Sequence, residues 1–382
     1  MSLPLEDEEG MTMGETINWM GGWPKEGVVS AAEWEERSGR YAERSRELLE
    51  QDAESLKEAL AGTELLPTWG TRTERMMLAP GADAAIDWII KRWLQPGDAV
   101  LVERPTSRFA LQAFRRAGII PHAVPGDGLG LDPDELAESI RQLHPRLVYA
   151  APDCTDPEGR VWGEARKELL LQICREEDVA VLLDERQALL CEAPPRGKYA
   201  SGSANAGLEG VVFRVGEFPP GMVAGLRLGW ICAHGEDEKI RELLPTPAVR
   251  PEAIPPTDLA AVLGLLQEGI EPIVKTMKFI YRARTGALVE CLKRQQLEGV
   301  GWNEPQNGMH LWISLPEGLD ADALLRAAWM NGLLFQPGGA FYASDPDRFK
   351  LRATAVHTEE RLIRLGVQKL GDTMADFLGR WG

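Results

Sequence analysis

The sequence predicts an α/β fold, with a large, mostly parallel sheet domain covered by helices and a small α+β domain. Three observations carry this reading. From about residue 75 to 235, short β-rich apolar segments alternate with helix-length amphipathic ones. A Pro-rich stretch, "LPTPAVRPEAIPP" at 244–256, then breaks the rhythm. Beyond it, a long helical run leads into strand, helix, strand, helix.

The elements follow in order. Residues 30–60 are rich in Glu, Arg, Ala and Leu and predict helix, split at "EQDAES". "MMLA" predicts a strand, and "ADAAIDWIIKRWL" a helix with apolar residues at helical spacing. "DAVLVER" is strand, "SRFALQAFRRAG" helix and "IIPHAVP" strand, and "DPDELAESIRQL" is a helix capped by its leading Asp. "RLVYAAP", "VAVLLDE", "GVVFRVG" and "LRLGWICA" predict strands, with "GEARKELLLQICREED" a helix among them. Continuously apolar strands separated by helices imply a sheet buried on both faces. A helix is predicted from Thr257 to about Gln296, then "MHLWISLP" and "FKLRATAV" as strands and a final helix from Thr358. The expected division is an N-terminal segment, 1–50, packing with the small domain, a large domain over 51–250 and a small C-terminal domain over 251–382.

Composition narrows the function. A net charge of −17 argues against nucleic-acid or anionic-membrane partners, which need a basic face. The apolar runs "DVAVLLD" and "LAAVLGLL" are too short to span a bilayer. The acidic start "MSLPLEDEEG" lacks the basic-then-apolar order of an export signal, so a cytoplasmic location is expected. The five cysteines form no C-x-x-C pair and read as reduced thiols. The five histidines show no ligand spacing, and no metal is expected. "PGDGLGLDPDEL" looks glycine-rich, but a dinucleotide fingerprint would need glycine at position 131, which is Leu. Neither a G-x-S-x-G elbow nor a Walker loop occurs.

Other motifs are more specific: "INWMGGWP" at 17–24, "LQPGDAVLVERPTSRFALQAFRRAG", "RLVYAAPDCTDPEG", "GMVAGLRLGW", "NGMHLWISLPEGLD", "LFQPGGAFYA" and "LRAT". Through them the chain resembles the class I/II aminotransferases, fold type I enzymes dependent on pyridoxal phosphate, in particular the branch that includes the aminotransferase-like domains of MocR-type regulators. The resemblance implies an aspartate aminotransferase-like fold with a seven-stranded large-domain sheet. It also implies a homodimer, with Asp184, Pro220 and Arg352 around one cleft.

Pyridoxal chemistry needs a lysine, a carboxylate at the ring nitrogen, a stacking aromatic, a donor to the phenolic oxygen, a phosphate cup and a substrate-carboxylate arginine. By the resemblance, Asp184 stands at the ring nitrogen, Arg227 at the phosphate, and Gly22 and Arg352 at the substrate. The remaining positions depart from the pattern. Pro220 stands at the lysine position and Glu217 at a phosphate-binding serine. Pro80-Gly81-Ala82-Asp83 replaces the Ser-Gly-Ser-Gln helix start, Ser107 the stacking tyrosine and Asp156 the asparagine of "N-P-T-G". Arg186-Gln187 follows Asp184 where an aromatic is expected, and the tyrosine lent by a neighbouring subunit is absent from "EQDAES".

Each of these missing interactions is worth roughly 1–3 kcal/mol, so the expectation is a pseudoenzyme that takes no cofactor. Arg227 and Arg352 would then be left to hold an amino acid or a small carboxylate. Three alternatives stand beside it: altered chemistry using Glu217, Asp156, Arg104 and Arg108, a purely structural or regulatory partner, and an ordinary transaminase, which conflicts with Pro220.

Overall fold

A computed structural model describes residues 16–21, 24, 26–42, 49–63, 72–191, 210–235, 240, 244, 254–306 and 308–381. In chain order its strands are β1 (Ile17–Asn18), β2 (Met76–Ala79), β3 (Ala99–Val102), β4 (Ile120–Ala123), β5 (Gly126–Asp127), β6 (Gly130–Leu131), β7 (Leu147–Ala150) and β8 (Ala180–Asp184). There follow β9 (Val212–Glu217), β10 (Gly229–His234), β11 (Gly301–Trp302), β12 (Leu311–Ser314), β13 (Leu333–Leu334), β14 (Gln336–Pro337) and β15 (Lys350–Ala353).

The apolar segments become a seven-stranded sheet of order β2-β10-β9-β8-β7-β3-β4. Within it only β10 runs antiparallel to its neighbours, and the remaining pairs are parallel. Every residue of "LVYA", "AVLLD" and "GWICAH" is buried, because helices cover both faces. Helix α3 (Ala82–Trp93) packs Ile86, Ile89 and Ile90 against one face, in a cluster with Val100, Tyr149 and Phe213. On the opposite face Val148, Val181 and Val212 meet Leu170 and Cys174 of the helix Glu164–Glu176. A second sheet, β11-β12-β15-β14, is wholly antiparallel and belongs to the chain beyond residue 300.

The N-terminal segment touches both sheets' surroundings. Ile17–Asn18 pairs in parallel with Leu333–Leu334, and Met20 bridges to Thr354. Farther on, Val29 bridges to Val223, and helix α1 (Ala31–Ala42) packs on the helix Pro256–Glu268. The boundary drawn at residue 50 falls inside helix α2 (Leu49–Gly62), and that drawn at residue 250 lies outside the described residues. "EQDAES" does not break a helix. It lies within α2, because Ala53, Leu56 and Leu60 continue one buried helical stripe across it. The run expected from Thr257 to Gln296 is two helices, Pro256–Glu268 and Glu271–Gln295, parted at Gly269, whose φ is 95°, and restarted by Pro272.

Trp19 fastens the N-terminal segment. Its side chain is fully buried among Leu311, Leu333, Phe335 and Val367, and its backbone brackets Leu334 and Thr354. Gly366, on the helix Glu360–Trp381, leaves room for the indole, since a Cβ there would overlap the ring. Trp19→Ala should therefore cost about 3–5 kcal/mol of unfolding free energy, read by urea denaturation of the full chain. A loss below about 1 kcal/mol would show that the segment is not held by this side chain.

Candidate functional site

The parallel strands deliver their C-terminal ends to one place, the usual ligand position in sheets of this kind. There Asp184 closes β8, Glu217 closes β9, and β2 turns through Pro80-Gly81 into α3. These ends border a cleft of about 380 Å³ whose lining includes Gly81, Arg108, Asp156, Glu217, Pro220 and Arg352. Arg352 comes from β15 of the antiparallel sheet, so both sheets contribute.

Gly81 has φ 93°, a conformation that favours glycine, and it turns the chain so that the α3 N-terminus faces β9. The Ala82 N–H at that terminus donates to Glu217 Oε2 at 2.8 Å. A carboxylate at a helix N-terminus is favoured by the helix dipole. Burial pushes the Glu217 carboxyl above its ordinary value, and Arg186 and the Ala82 N–H counter only part of that.

Arg186 is the centre of the charge arrangement. Its Nε lies 2.9 Å from both Asp184 oxygens, and its Nη1 donates to Asp83 Oδ1 at 2.7 Å. Burial opposes its charge, but Asp184, Glu217 and Asp83 outweigh burial and hold its pKa above the ordinary value. On the far side, the Tyr149 hydroxyl donates to Asp184 Oδ2 at 2.7 Å. Asp184 is thus enclosed by a guanidinium and a phenol.

Arg352 is buried and lies 4.9 Å over the Phe341 ring. Its Nη1 donates to Asp156 Oδ1 at 2.5 Å and lies 3.4 Å from His310 Nε2. His310 is held on its other nitrogen by Thr354 Oγ1 at 2.7 Å. Burial, then the neighbouring Arg352 charge, lowers the His310 pKa to about 3, so the ring is neutral near pH 7. Burial raises the Asp156 pKa, but the charge and hydrogen bond of Arg352 lead the effects that outweigh it, and the carboxyl is held below its ordinary value.

The structure brings together Pro220, Gly81, Asp156, Glu217, Arg227 and Arg352, all lining the cleft. Ala82 contributes its N–H, and Asp184 sits behind Arg186. Ser107 is buried at the N-cap of helix α4 (Arg108–Arg116) without a side-chain capping bond, while the next residue, Arg108, lines the cleft. Gly22 lies outside the described residues. Arg104 turns to the Ser344 and Asp345 carbonyls and does not line the cleft. Sequence reasoning misses the clamp made by Arg186 and the Arg352 contacts of His310. Neither has a spacing signal: the first depends on a turn after β8, the second on strand pairing within the antiparallel sheet.

Comparison with solved structures shows the class first: this is a fold type I aminotransferase fold. LysN, an α-aminoadipate aminotransferase from Thermus thermophilus solved with N-(5'-phosphopyridoxyl)-L-leucine, superposes with a TM-score of 0.83 at 27% identity, covering 95% of this chain and 93% of that one. The family description "Aminotransferase class I and II" matches residues 43–366, and the chain belongs to that family. It is 30% identical to the 2-aminoadipate transaminase of Thermus thermophilus over 81% of this chain and 77% of that protein. It is also 24% identical to the HTH-type transcriptional regulator YjiR of Escherichia coli, over 78% of this chain and 63% of that protein.

The expectation that the chain takes no cofactor is corrected by these findings. Family membership and the phosphopyridoxyl ligand of the Thermus enzyme point to pyridoxal phosphate as the group that belongs with this fold. Side-chain replacements speak to the mode of attachment and not to which group the fold takes. The residues here do not fit the attachment that the resemblance implies: Pro220 has no amine, and the Glu217 carboxylate sits on the α3 N-terminus where a phosphate would be received.

Glu103, just beyond β3, is buried and accepts the Ala151 N–H at 2.8 Å. Burial pushes its carboxyl from the ordinary 4.5 up to about 8. Between those values the folded chain holds a proton that the unfolded chain has lost, so stability falls as pH rises. At its steepest the slope from this one group is about 1.4 kcal/mol per pH unit. Glu103→Gln removes that slope, so the variant gains on the wild type between pH 5 and pH 8 in urea denaturation. An unchanged difference across that range would refute the assignment.

Proposed function

We propose that this chain is a catalytically degenerate member of its family that does not transaminate and that holds a small carboxylate or amino acid in its cleft. One observation carries the reading: Pro220, which by the resemblance stands at the reactive-lysine position, lines the same cleft as a Glu217 carboxylate seated on the α3 N-terminus. A proline supplies no nucleophilic amine at any pH. The cleft is lined by four arginines, Arg108, Arg186, Arg227 and Arg352, against three acids, Asp83, Asp156 and Glu217, and this excess of one positive charge favours an anionic ligand. The structure of the Thermus relative holds N-(5'-phosphopyridoxyl)-L-leucine, and the leucine part of that adduct supports an amino-acid ligand here.

Incubating the full chain with pyridoxal phosphate, L-amino acids and 2-oxo acids should give no amino transfer. Pro220→Lys alone should give none either, because Glu217 and Asp156 still occupy the positions a phosphate and a phenolic oxygen would need. Amino transfer by the wild type would overturn the reading. A rise in melting temperature with carboxylates or amino acids supports the ligand half of it.

We further propose a cytoplasmic homodimer. Every cysteine in the chain is a free thiol, as suits a reducing compartment. Phe279, Trp329 and Met330 are large apolar side chains left exposed, as suits a partner surface. Trp19 is buried within its own chain and takes no part in such a surface. Light scattering at micromolar concentration should give twice the chain mass, and a monomer would remove the dimer.

A further inference from the structure

We infer that the cleft takes a small monocarboxylate without an amino group, and that its carboxylate binds Arg108. The inference rests on the proposed ligand-binding role and narrows it to one chemical class and one receptor.

The charges of the cleft decide it. Four acids stand at or behind its wall, and each already has a donor. Asp83 and Asp184 share Arg186, Asp156 holds Arg352, and Glu217 holds the Ala82 N–H. The arginines are less completely used. Arg186 and Arg352 are ion-paired, and Arg227 is exposed with interactions of its own. Arg108 makes no hydrogen bond or ion pair among the described residues, and its Nε is buried without a partner. Its guanidinium rests 4.3 Å over the ring of Phe109, which also lines the cleft.

Asp156 and Asp83 attract the half-buried Arg108 guanidinium from a distance but do not bond it, and a carboxylate bound in the two-pronged manner would satisfy it directly. Burial, followed by the like charge of Arg352, lowers the Arg108 pKa, and a bound anion would oppose both effects. An ammonium group would have to share an acid that already holds a donor. A second carboxylate would have to compete with Asp156 for Arg352. One negative charge is therefore matched directly, and a second charge of either sign would compete with a pair already made. Met20, Phe109 and Met309 line the same cleft and suit an aliphatic tail.

Three five-carbon probes test this by calorimetric titration of the full-length wild type: pentanoate, glutarate and L-norvaline. Pentanoate should bind most tightly. Arg108→Gln should weaken it by about tenfold to a hundredfold, and Arg108→Lys should restore part of the loss. The unliganded melting temperature of each variant serves as the folding control. Asp156→Asn, which releases Arg352, should raise the affinity for glutarate. Pentanoate binding that is unchanged in Arg108→Gln overturns the role of Arg108 while leaving the cleft a carboxylate site. Tighter binding of glutarate or norvaline than of pentanoate by the wild type overturns the monocarboxylate class. If none of the three binds, this inference and the ligand-binding role fall together.

Discussion

The Arg186 guanidinium holds the floor of the cleft. It bonds Asp184 at the end of β8 and Asp83 in the first turn of α3, and it faces Glu217 at the end of β9. Without it, three carboxylates would confront one another at the mouth of a sheet buried on both faces. Repulsion between close charges at an effective dielectric near 20 is roughly 4 kcal/mol per pair before relaxation. Removing one partner of a buried pair is more damaging than never having had it. The charges of Glu217, Asp83 and Asp184 are all balanced in part by that cation.

The frame around the cleft does not depend on these charges. The sheet is held by Val100, Leu182, Phe213, Ile231 and their neighbours, none of which carries a charge. The antiparallel sheet has its own cluster around Leu311, Phe335 and Leu351, closed at one edge by Trp19. Burial of aliphatic area contributes about 25 cal/mol per Å² whatever the cleft contains. A chain can therefore keep this fold while the chemistry at its strand ends changes, so membership of the aminotransferase family fixes the architecture more firmly than the activity.

How far the sequence reveals the site depends on the range of the interaction. The alternation of "VAVLLDE" and "GVVFRVG" with helices announces a parallel sheet, because both-face burial demands continuous apolar runs. Asp184, Glu217 and Pro220 can be placed in one cleft because strand ends converge there. The helix through "EQDAES" is hard to see in sequence because its polar surface hides the buried stripe of Ala53, Leu56 and Leu60. The break at Gly269 is masked because apolar residues continue on either side of it. Pairings such as Asp156 with Arg352, or Arg186 with Asp83, join residues far apart in the chain and follow no period. The cofactor escapes the sequence for a different reason: replaced side chains describe how a group is held and not which group the fold belongs with.

Viewed by their partners, the departures from the family pattern form a set. By the resemblance, the α3 N-terminus receives a phosphate, and here it receives the Glu217 carboxylate. The strand-end aspartate receives a ring cation, and here Asp184 receives the Arg186 guanidinium. The arginine of "KLRAT" receives a substrate carboxylate, and here Arg352 receives Asp156. In each case a side chain of the protein has the charge of the ligand group whose partner it takes. Unconstrained loss would leave buried orphans such as an unpaired strand-end carboxylate, each costing about 1–3 kcal/mol or more when charged. Re-pairing gives each of these three groups a charged or polar partner within the protein. By the resemblance these are three points where the family meets its ligands, and Arg108, next to position 107, makes no hydrogen bond or ion pair among the described residues.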